Sequence, residues 1–344
     1  MSKKSYIIPI FIPHRGCPHD CSFCNQRKIA GEMKEITGED IYKITNKYLD
    51  FFPSNHIKKE VAFYGGSFTG LEMEKQIELL KPAFEMKEKG LINEIRLSTR
   101  PDYIDDSILV LLKKFGVTTI ELGVQSTDNK VLELNHRGHT KEDVVFASKL
   151  IKDTGFKLGL QMMVGLLGDN ITSIIKTAKD IISLNPNFVR IYPTIVIEHT
   201  YLEKLYLEGK YEPFTLEKTI EICKELLILF KKNKIPVIRL GLQSNDNMDY
   251  GKSLVAGPYH PSFRELVESE IYKDVIEKQI KKKDADKIRI LNIHCNPTII
   301  SRVAGFKQSN KKYFMDKYNI SDIKIIADNE LDKNQLHIEI NRSH

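Results

Sequence analysis

Short β-branched runs alternate with longer amphipathic stretches through roughly the first two thirds of this chain, and that alternation restricts its fold more than any other feature. Runs near 5–13, 59–64, 93–99, 117–124, 156–164 and 187–195 read as strands, with helices near 39–52, 71–88, 103–114, 140–153, 169–183 and 214–232. Strands separated by helices pair in parallel, because each helix carries the chain back to the start of the next strand. The punctuation agrees. Gly38 precedes the first helix, Pro101-Asp102 the third, and Gly90, Gly116 and Gly155 fall close to the starts of strands. Six such units predict an α/β fold built as a partial (β/α)6, TIM-like barrel, in which functional residues gather at the C-terminal ends of the strands.

The rest of the chain reads differently. Helix 259–282, strand 286–294, a helix around 308–318 and strands near 320–327 and 333–341 predict a small C-terminal α+β domain. The alternating segments Asp322-Ile-Lys-Ile-Ile-Ala and Gln335-Leu-His-Ile-Glu-Ile predict a closing hairpin. The expected division is a barrel domain, 1–241, and a cap domain, 242–344, over one end of the barrel. Gly257-Pro258-Tyr259-His260-Pro261 reads as a turn, and Cys295 beside His294 as a buried structural thiol.

Just after the first strand, Cys17-Pro-His-Asp-Cys21-Ser-Phe-Cys24 sets three thiols with three and then two residues between them. Thiolates select zinc, copper(I) or iron–sulfur clusters. A structural zinc site is closed by four protein ligands, so a zinc reading must recruit His14, His19, Cys223 or Cys295. A four-iron cluster held by three cysteines instead leaves one iron open. Spacing alone leaves both readings standing.

Composition narrows the setting. At 344 residues and 41% hydrophobic content the chain has room for one large domain and a smaller one. No apolar stretch has the length to span a bilayer, and the start, MSKKSYIIPIF, lacks the cleavage site and apolar length of a secretory signal. Five cysteines, three of them clustered, suit a reducing compartment, so the expected location is the cytoplasm. A net charge of +6 permits an acidic partner such as RNA without demanding one.

The second strand is followed by Phe63-Tyr64-Gly65-Gly66-Ser67-Phe68-Thr69. Adjacent glycines expose backbone N–H and C=O groups and admit a ligand closely, although a Gly-Gly pair is also an ordinary turn. The cysteine spacing resembles that of the radical SAM superfamily, whose open iron chelates S-adenosylmethionine. Five segments in order make the resemblance more specific: Gly65-Gly66-Ser67-Phe68-Thr69; Thr99-Arg100-Pro101-Asp102-Tyr103; Glu121-Leu-Gly-Val-Gln125-Ser126 with Asn135-His-Arg137-Gly138-His139-Thr140; Met162-Met163-Val-Gly165-Leu166; and Ile191-Tyr192-Pro193-Thr194. Together they resemble the radical SAM domain of the catalytic subunit of Elongator, the tRNA wobble-uridine-modifying enzyme, over about two thirds of the chain.

The resemblance implies a 4Fe-4S cluster on Cys17, Cys21 and Cys24, and S-adenosylmethionine as the second cofactor. Gly65 and Gly66 would receive its methionine end, and Phe23 would stand beside its adenine or simply pack the loop. Gln125 and Arg137 would reach its carboxylate and ribose, Arg137 through the planar fork that suits a carboxylate. Gln161 and Tyr192 line the same mouth on this reading. The bland alternatives are a satisfied strand-end residue for Gln125 and core packing for Tyr192. Glu121, among apolar neighbours, is expected to point into the barrel and to be paired or functional, with Arg100 as candidate partner.

Departures from the family also carry information. The cysteine spacing is the compact one of the wider superfamily. Ser98 stands where the family tends to be acidic, so a ribose contact there would be a hydroxyl bond. Gln161 replaces His or Asp, and Leu167 replaces a proline. Residues 242–344 contain no Gly-rich acetyl-coenzyme A loop and are too few for an acetyltransferase domain, so the acyl-donor half is expected to be absent. The implied activity is reductive cleavage of S-adenosylmethionine to a deoxyadenosyl radical for modification of tRNA or other RNA, with an electron donor such as flavodoxin or ferredoxin. The alternatives are a radical SAM enzyme acting on a small molecule such as a porphyrinogen, and an RNA-binding protein with a structural cluster.

Overall fold

A computed structural model describes residues 5–12, 20–24, 35–52, 57–242, 253–282, 288–333 and 335–342. Cys17, His14 and His19 lie outside the described residues. The strands are β1 (Ser5–Ile12), β2 (Lys58–Gly65), β3 (Glu94–Thr99), β4 (Thr119–Gln125), β5 (Lys157–Val164), β6 (Phe188–Pro193), β7 (Val196–Ile197), β8 (Val237–Leu240), β9 (Leu254–Ala256), β10 (Ile288–Cys295), β11 (Asp322–Ala327) and β12 (Leu336–Arg342).

The main sheet has seven strands in the order β1-β2-β3-β4-β5-β6-β8, every neighbour parallel. Strands laid down in sequential order, each returned by a helix, curl the sheet toward a barrel, and this one is a half-barrel. The reading of six units missed β8, whose four residues are too few for alternation to register. The short strands β7 and β9 pair antiparallel with each other.

Strand alternation decides which chemistry faces where. Val61, Phe63, Ile95, Leu97, Ile120, Leu122, Leu158, Leu160, Val189 and Ile191 are fully buried under the helices. The intervening positions carry Glu60, Tyr64, Arg96, Ser98, Glu121, Gly123, Gln125, Gln161, Arg190 and Tyr192 on the concave face. A polar barrel interior was therefore written into a period of two.

The helix Asp106–Lys114 shows how the local ends are secured. The Asp105 carboxylate accepts from the Ser107 hydroxyl at 2.6 Å and from Ile108 N at 2.8 Å. These bonds, that of Ser107 first, hold its carboxyl below the ordinary aspartate range. Asp105→Ala is expected to cost about 1 kcal/mol. A depressed folded pKa means the contribution is present above the unfolded value and is lost as pH falls through the folded one. Urea midpoints of wild type and variant should thus differ at about pH 7 and converge toward about pH 3; a gap independent of pH would contradict the cap.

The chain divides into two compact units, Met1–Phe214 with Leu229–Leu240 and Ser244–Pro258, and Thr215–Ile228 with Gly241–Gln243 and Tyr259–His344. In the second, β10 lies between β11, parallel to it, and β12, antiparallel to it. The last two strands do not form the expected hairpin, because each pairs with β10. Alternation reports which side of a strand is buried and says nothing about its neighbour. The residues Leu291, Ile293 and Cys295 place β10 in the core, where both of its backbone edges need hydrogen-bond partners. Among the described residues no helix is long and apolar enough to cross a membrane.

Candidate cofactor site

Beyond the C-terminal ends of β2 to β5 lies an open cavity of about 140 Å³, lined by Phe23, Gly65, Gly66, Ser67, Ser98, Thr99, Arg100, Gly123, Gln125, Arg137 and Gln161. Glu121 and Tyr192 are not part of the lining. Glu121 lies deeper on β4, and Tyr192 sits two residues beyond Arg190 on the same face of β6.

The turn after β2 is possible only for glycine. Gly65 has φ of +110°, and a Cβ there would lie 2.4 Å from the Ile12 carbonyl oxygen. The next residue uses that same carbonyl, through a bond from Gly66 N at 3.1 Å. Gly65→Ala should therefore cost about 1–3 kcal/mol in backbone strain alone, measurable by urea unfolding; a variant as stable as wild type would show that β1 yields freely. Buried hydroxyls lock this turn to the end of β3. Thr99 Oγ1 meets Ser67 Oγ at 2.8 Å and Thr69 Oγ1 at 2.5 Å, and Arg100 N donates to Ser67 Oγ at 3.2 Å.

Gln125 adopts φ of +64° where β4 slips register against β5. Left-handed backbone at a glutamine costs energy and concentrates at ligand sites. Its Oε1 is buried and without a hydrogen-bond partner. Arg137 donates from Nη2 to the Gly123 carbonyl at 2.7 Å and from Nη1 to Cys21 Sγ at 3.1 Å, while its Nε is buried and unpartnered. Both residues line the cavity, and each keeps one buried polar atom that lacks a partner.

Arg100 does not pair with Glu121, as the sequence suggested. It binds the Asp102 carboxylate through Nε at 2.9 Å and Nη2 at 2.9 Å, and also donates to the Arg137 carbonyl. Standing past the end of β3, it is beyond the positions that alternate into the barrel. Glu121, fully buried, instead takes Arg96 Nη1 at 3.2 Å, Arg190 Nε at 2.5 Å and Arg190 Nη2 at 3.1 Å. Arg96 also contacts Glu60, and Arg190 donates to the Tyr64 hydroxyl at 2.9 Å. Burial, then the Glu121 charge, push the Tyr64 hydroxyl up to about 12. Gln161 joins this charged layer to the cavity, its Nε2 lying 3.4 Å from both Ser98 Oγ and Glu121 Oε2.

The cysteine loop borders the cavity through Phe23. Cys21 is 6% exposed, and Cys24 N donates to the Cys21 carbonyl at 3.0 Å. Cys223 and Cys295 are buried, and desolvation pushes both thiols up. Among the described residues no group of three or more potential ligands gathers for a metal. A soft thiol in contact with a guanidinium, Cys21 with Arg137, suits a thiolate-bound, negatively charged metal group. The glycine cradle and the orphaned atoms of Gln125 and Arg137 suit a ligand carrying both charges and hydrogen-bonding groups. Ser67, Thr99 and Gly123 line the cavity without having been picked from the sequence, and Arg96 and Arg190 were missed as partners of Glu121. Inward alternation on β3, β4 and β6 was the available signal.

A model of the radical SAM superfamily matches residues 11–181, and one of the radical SAM C-terminal domain matches 186–273. The chain is 35% identical over 255 residues to a tRNA uridine(34) acetyltransferase of Methanocaldococcus jannaschii, covering 63% of this chain and 47% of that protein. It is 34% identical over 181 residues to the Elongator complex protein 3 of Schizosaccharomyces pombe, covering 52% of this chain and 33% of that one. The solved structure of the archaeal Methanocaldococcus infernus Elp3 with an N-terminal deletion superposes with a TM-score of 0.59 at 25% identity, covering 81% of this chain and 63% of that chain. This chain spans about half the length of the first curated relatives it matches.

Proposed function

The chain belongs to the radical SAM superfamily, and from that premise we propose that it holds a 4Fe-4S cluster on Cys17, Cys21 and Cys24, binds S-adenosylmethionine in the cavity, and modifies tRNA. The observation that carries this reading is the cavity itself, where Phe23 of the cysteine loop and the Gly65-Gly66 turn share one wall system with two unpartnered polar atoms. When bound, the two cofactors supply a deoxyadenosyl radical by reductive cleavage.

The protein's own part is binding, orientation and exclusion of water. Backbone groups at Gly65 and Gly66 receive the methionine end. Arg137 Nε and Gln125 Oε1 meet polar groups that would otherwise leave them unsatisfied. Phe23, which also packs against the apolar cluster of Val196, Leu202, Leu205 and Tyr211, offers an aromatic edge to the adenine. Ser98 and Gln161 form the floor on the charged layer. Glu121 acts on the cavity through Gln161 and Arg190, and Tyr192 is left to packing or substrate contact.

Likeness to relatives named for tRNA uridine chemistry supports an RNA substrate, and the oxygen sensitivity of such a cluster supports a reducing, cytoplasmic setting with a flavodoxin or ferredoxin as electron donor. Retention of tRNA on the immobilised protein should fall steeply between about 50 and 200 mM salt if phosphates are contacted. A protein that makes deoxyadenosine yet never retains tRNA at low salt would redirect the search to small substrates. Within the cavity, Gln125→Ala is expected to weaken S-adenosylmethionine binding about tenfold, at unchanged iron content, in anaerobic equilibrium dialysis. Unchanged affinity would remove Gln125 from the binding set.

A further inference from the structure

We propose that Asn135 is the positioning residue of the cysteine loop, holding residues 21–24 in metal-binding form before any metal arrives and gripping them through Ser22. The purpose assigned to the clamp rests on the cluster reading above; the clamp itself does not.

Residues 20–24 belong to no helix or strand, so nothing periodic sets their conformation. Yet Ser22 is completely buried, and so is Asn135. Their contact is double. Ser22 N donates to the Asn135 carbonyl at 3.1 Å, and Ser22 Oγ donates to Asn135 Oδ1 at 2.7 Å. The Ser22 carbonyl in turn accepts from Leu202 N at 2.7 Å, so every polar group of this one residue is engaged.

Asn135 is itself immobilised. It follows the helix Asn129–Leu134, and its side-chain amide donates to the carbonyls of Val131 at 2.7 Å and Leu167 at 2.9 Å. Its Oδ1 also accepts from Leu167 N at 3.3 Å. An amide offers two donors and an acceptor with two lone pairs, and all four places are filled. Two residues on, Arg137 reaches Cys21 Sγ at 3.1 Å. The connection from β4 thus grips the loop twice, at the ligand sulfur and at the residue after it. Leu167, placed where the related family carries a proline, keeps the backbone N–H that meets Asn135, a donor that proline lacks.

Fixing a free loop costs backbone entropy at each residue. A loop already fixed in the apo protein lets several thiols bind one group without that cost, which is preorganisation in the ordinary sense.

The test uses the full-length apo protein, reduced and anaerobic, and two variants. Ser22→Ala removes only the hydroxyl bond and carries the test should Asn135→Leu fail to fold. Amide exchange is measured for residues 21–24 against β4 as internal reference. Ferrous iron and sulfide are then added, and cluster uptake is followed by absorbance and by the electron paramagnetic resonance signal after dithionite. Slow exchange is expected in wild type, with an increase of about tenfold at 21–24 in Ser22→Ala and more in Asn135→Leu, β4 unchanged. Both variants should take up the cluster several-fold more slowly, and their reduced signal should broaden, which a merely structural tie elsewhere would not cause. Free-peptide exchange at 21–24 in wild type, or wild-type uptake and signal in both folded variants, overturns the proposal. Slow wild-type exchange that is lost in Ser22→Ala, with no cluster taken up by wild type, supports the clamp and overturns the cluster reading alone.

Discussion

Cys21→Ala is expected to leave a folded protein that takes up little iron and forms deoxyadenosine only at background. The residue sits in a loop outside any strand or helix, so replacing its buried sulfur by a methyl hydrogen disturbs no helix or strand. What it does remove is one of the three thiols proposed to hold the cluster, and the acceptor for Arg137 Nη1, leaving a buried guanidinium donor without its partner. Three cysteines already leave one iron of a cubane open; two leave a second iron without a protein ligand. The check is iron and sulfide content after anaerobic reconstitution, followed by chromatography of the products with dithionite and S-adenosylmethionine. Cys295→Ala, in the core of the other unit, is the control and should lose stability while keeping its cluster. A Cys21→Ala protein with a full cluster and wild-type turnover would end the proposed function.

Glu121→Gln is expected to be the most destabilising single change in the barrel, at about 3–5 kcal/mol, because it removes one partner of a buried ion pair and leaves the other charged. Glu121 is fully buried and stands between two arginines. Burial opposes the charged form of Arg190 and the Glu121 charge outweighs it, holding the guanidinium above its ordinary value; with the carboxylate gone the cation stays, because a guanidinium is not deprotonated in proteins. Gln161 loses an acceptor in the same step, so the cavity floor should loosen, and S-adenosylmethionine affinity should fall with stability. Urea unfolding measures the first effect and anaerobic dialysis the second. A loss below about 1 kcal/mol would mean that the charged layer is solvated like a surface pair.

The legibility of this chain divides along physical lines. Six strands and their helices were evident because burial acts locally: Ile120-Glu-Leu-Gly-Val alternates whatever the rest of the molecule does. The cysteine triplet and Gly65-Gly66 were evident because ligand chemistry depends on residue type and spacing. Gln125 was placed correctly at a strand end, but its left-handed backbone, the feature that sets it apart, left no trace in the residue type. The short strand β8 and the order β11-β10-β12 were not evident, since a strand of four residues carries no period and alternation names no neighbour.

Partner choice was the other blind spot. Arg96, Arg100 and Arg190 are the same residue type, and Arg100 is nearer to Glu121 in the chain than the other two. In register, Glu121 faces Ser98 on β3 and Gly159 on β5, and Gly159 faces Phe188 on β6. Arg96 and Arg190 therefore stand two residues before and two residues beyond that row, on the same face of their strands and within reach of Glu121, whereas Arg100 lies past the end of β3 and turns to Asp102. The sequence by itself determined which faces are apolar, which loop gathers the cysteines and where glycine is required, because those follow from each residue and its near neighbours. Only the tertiary structure decided which charges meet and what holds the cysteine loop, because Arg190 and Tyr64, or Ser22 and Asn135, stand 126 and 113 residues apart and are joined by strand register and loop packing alone.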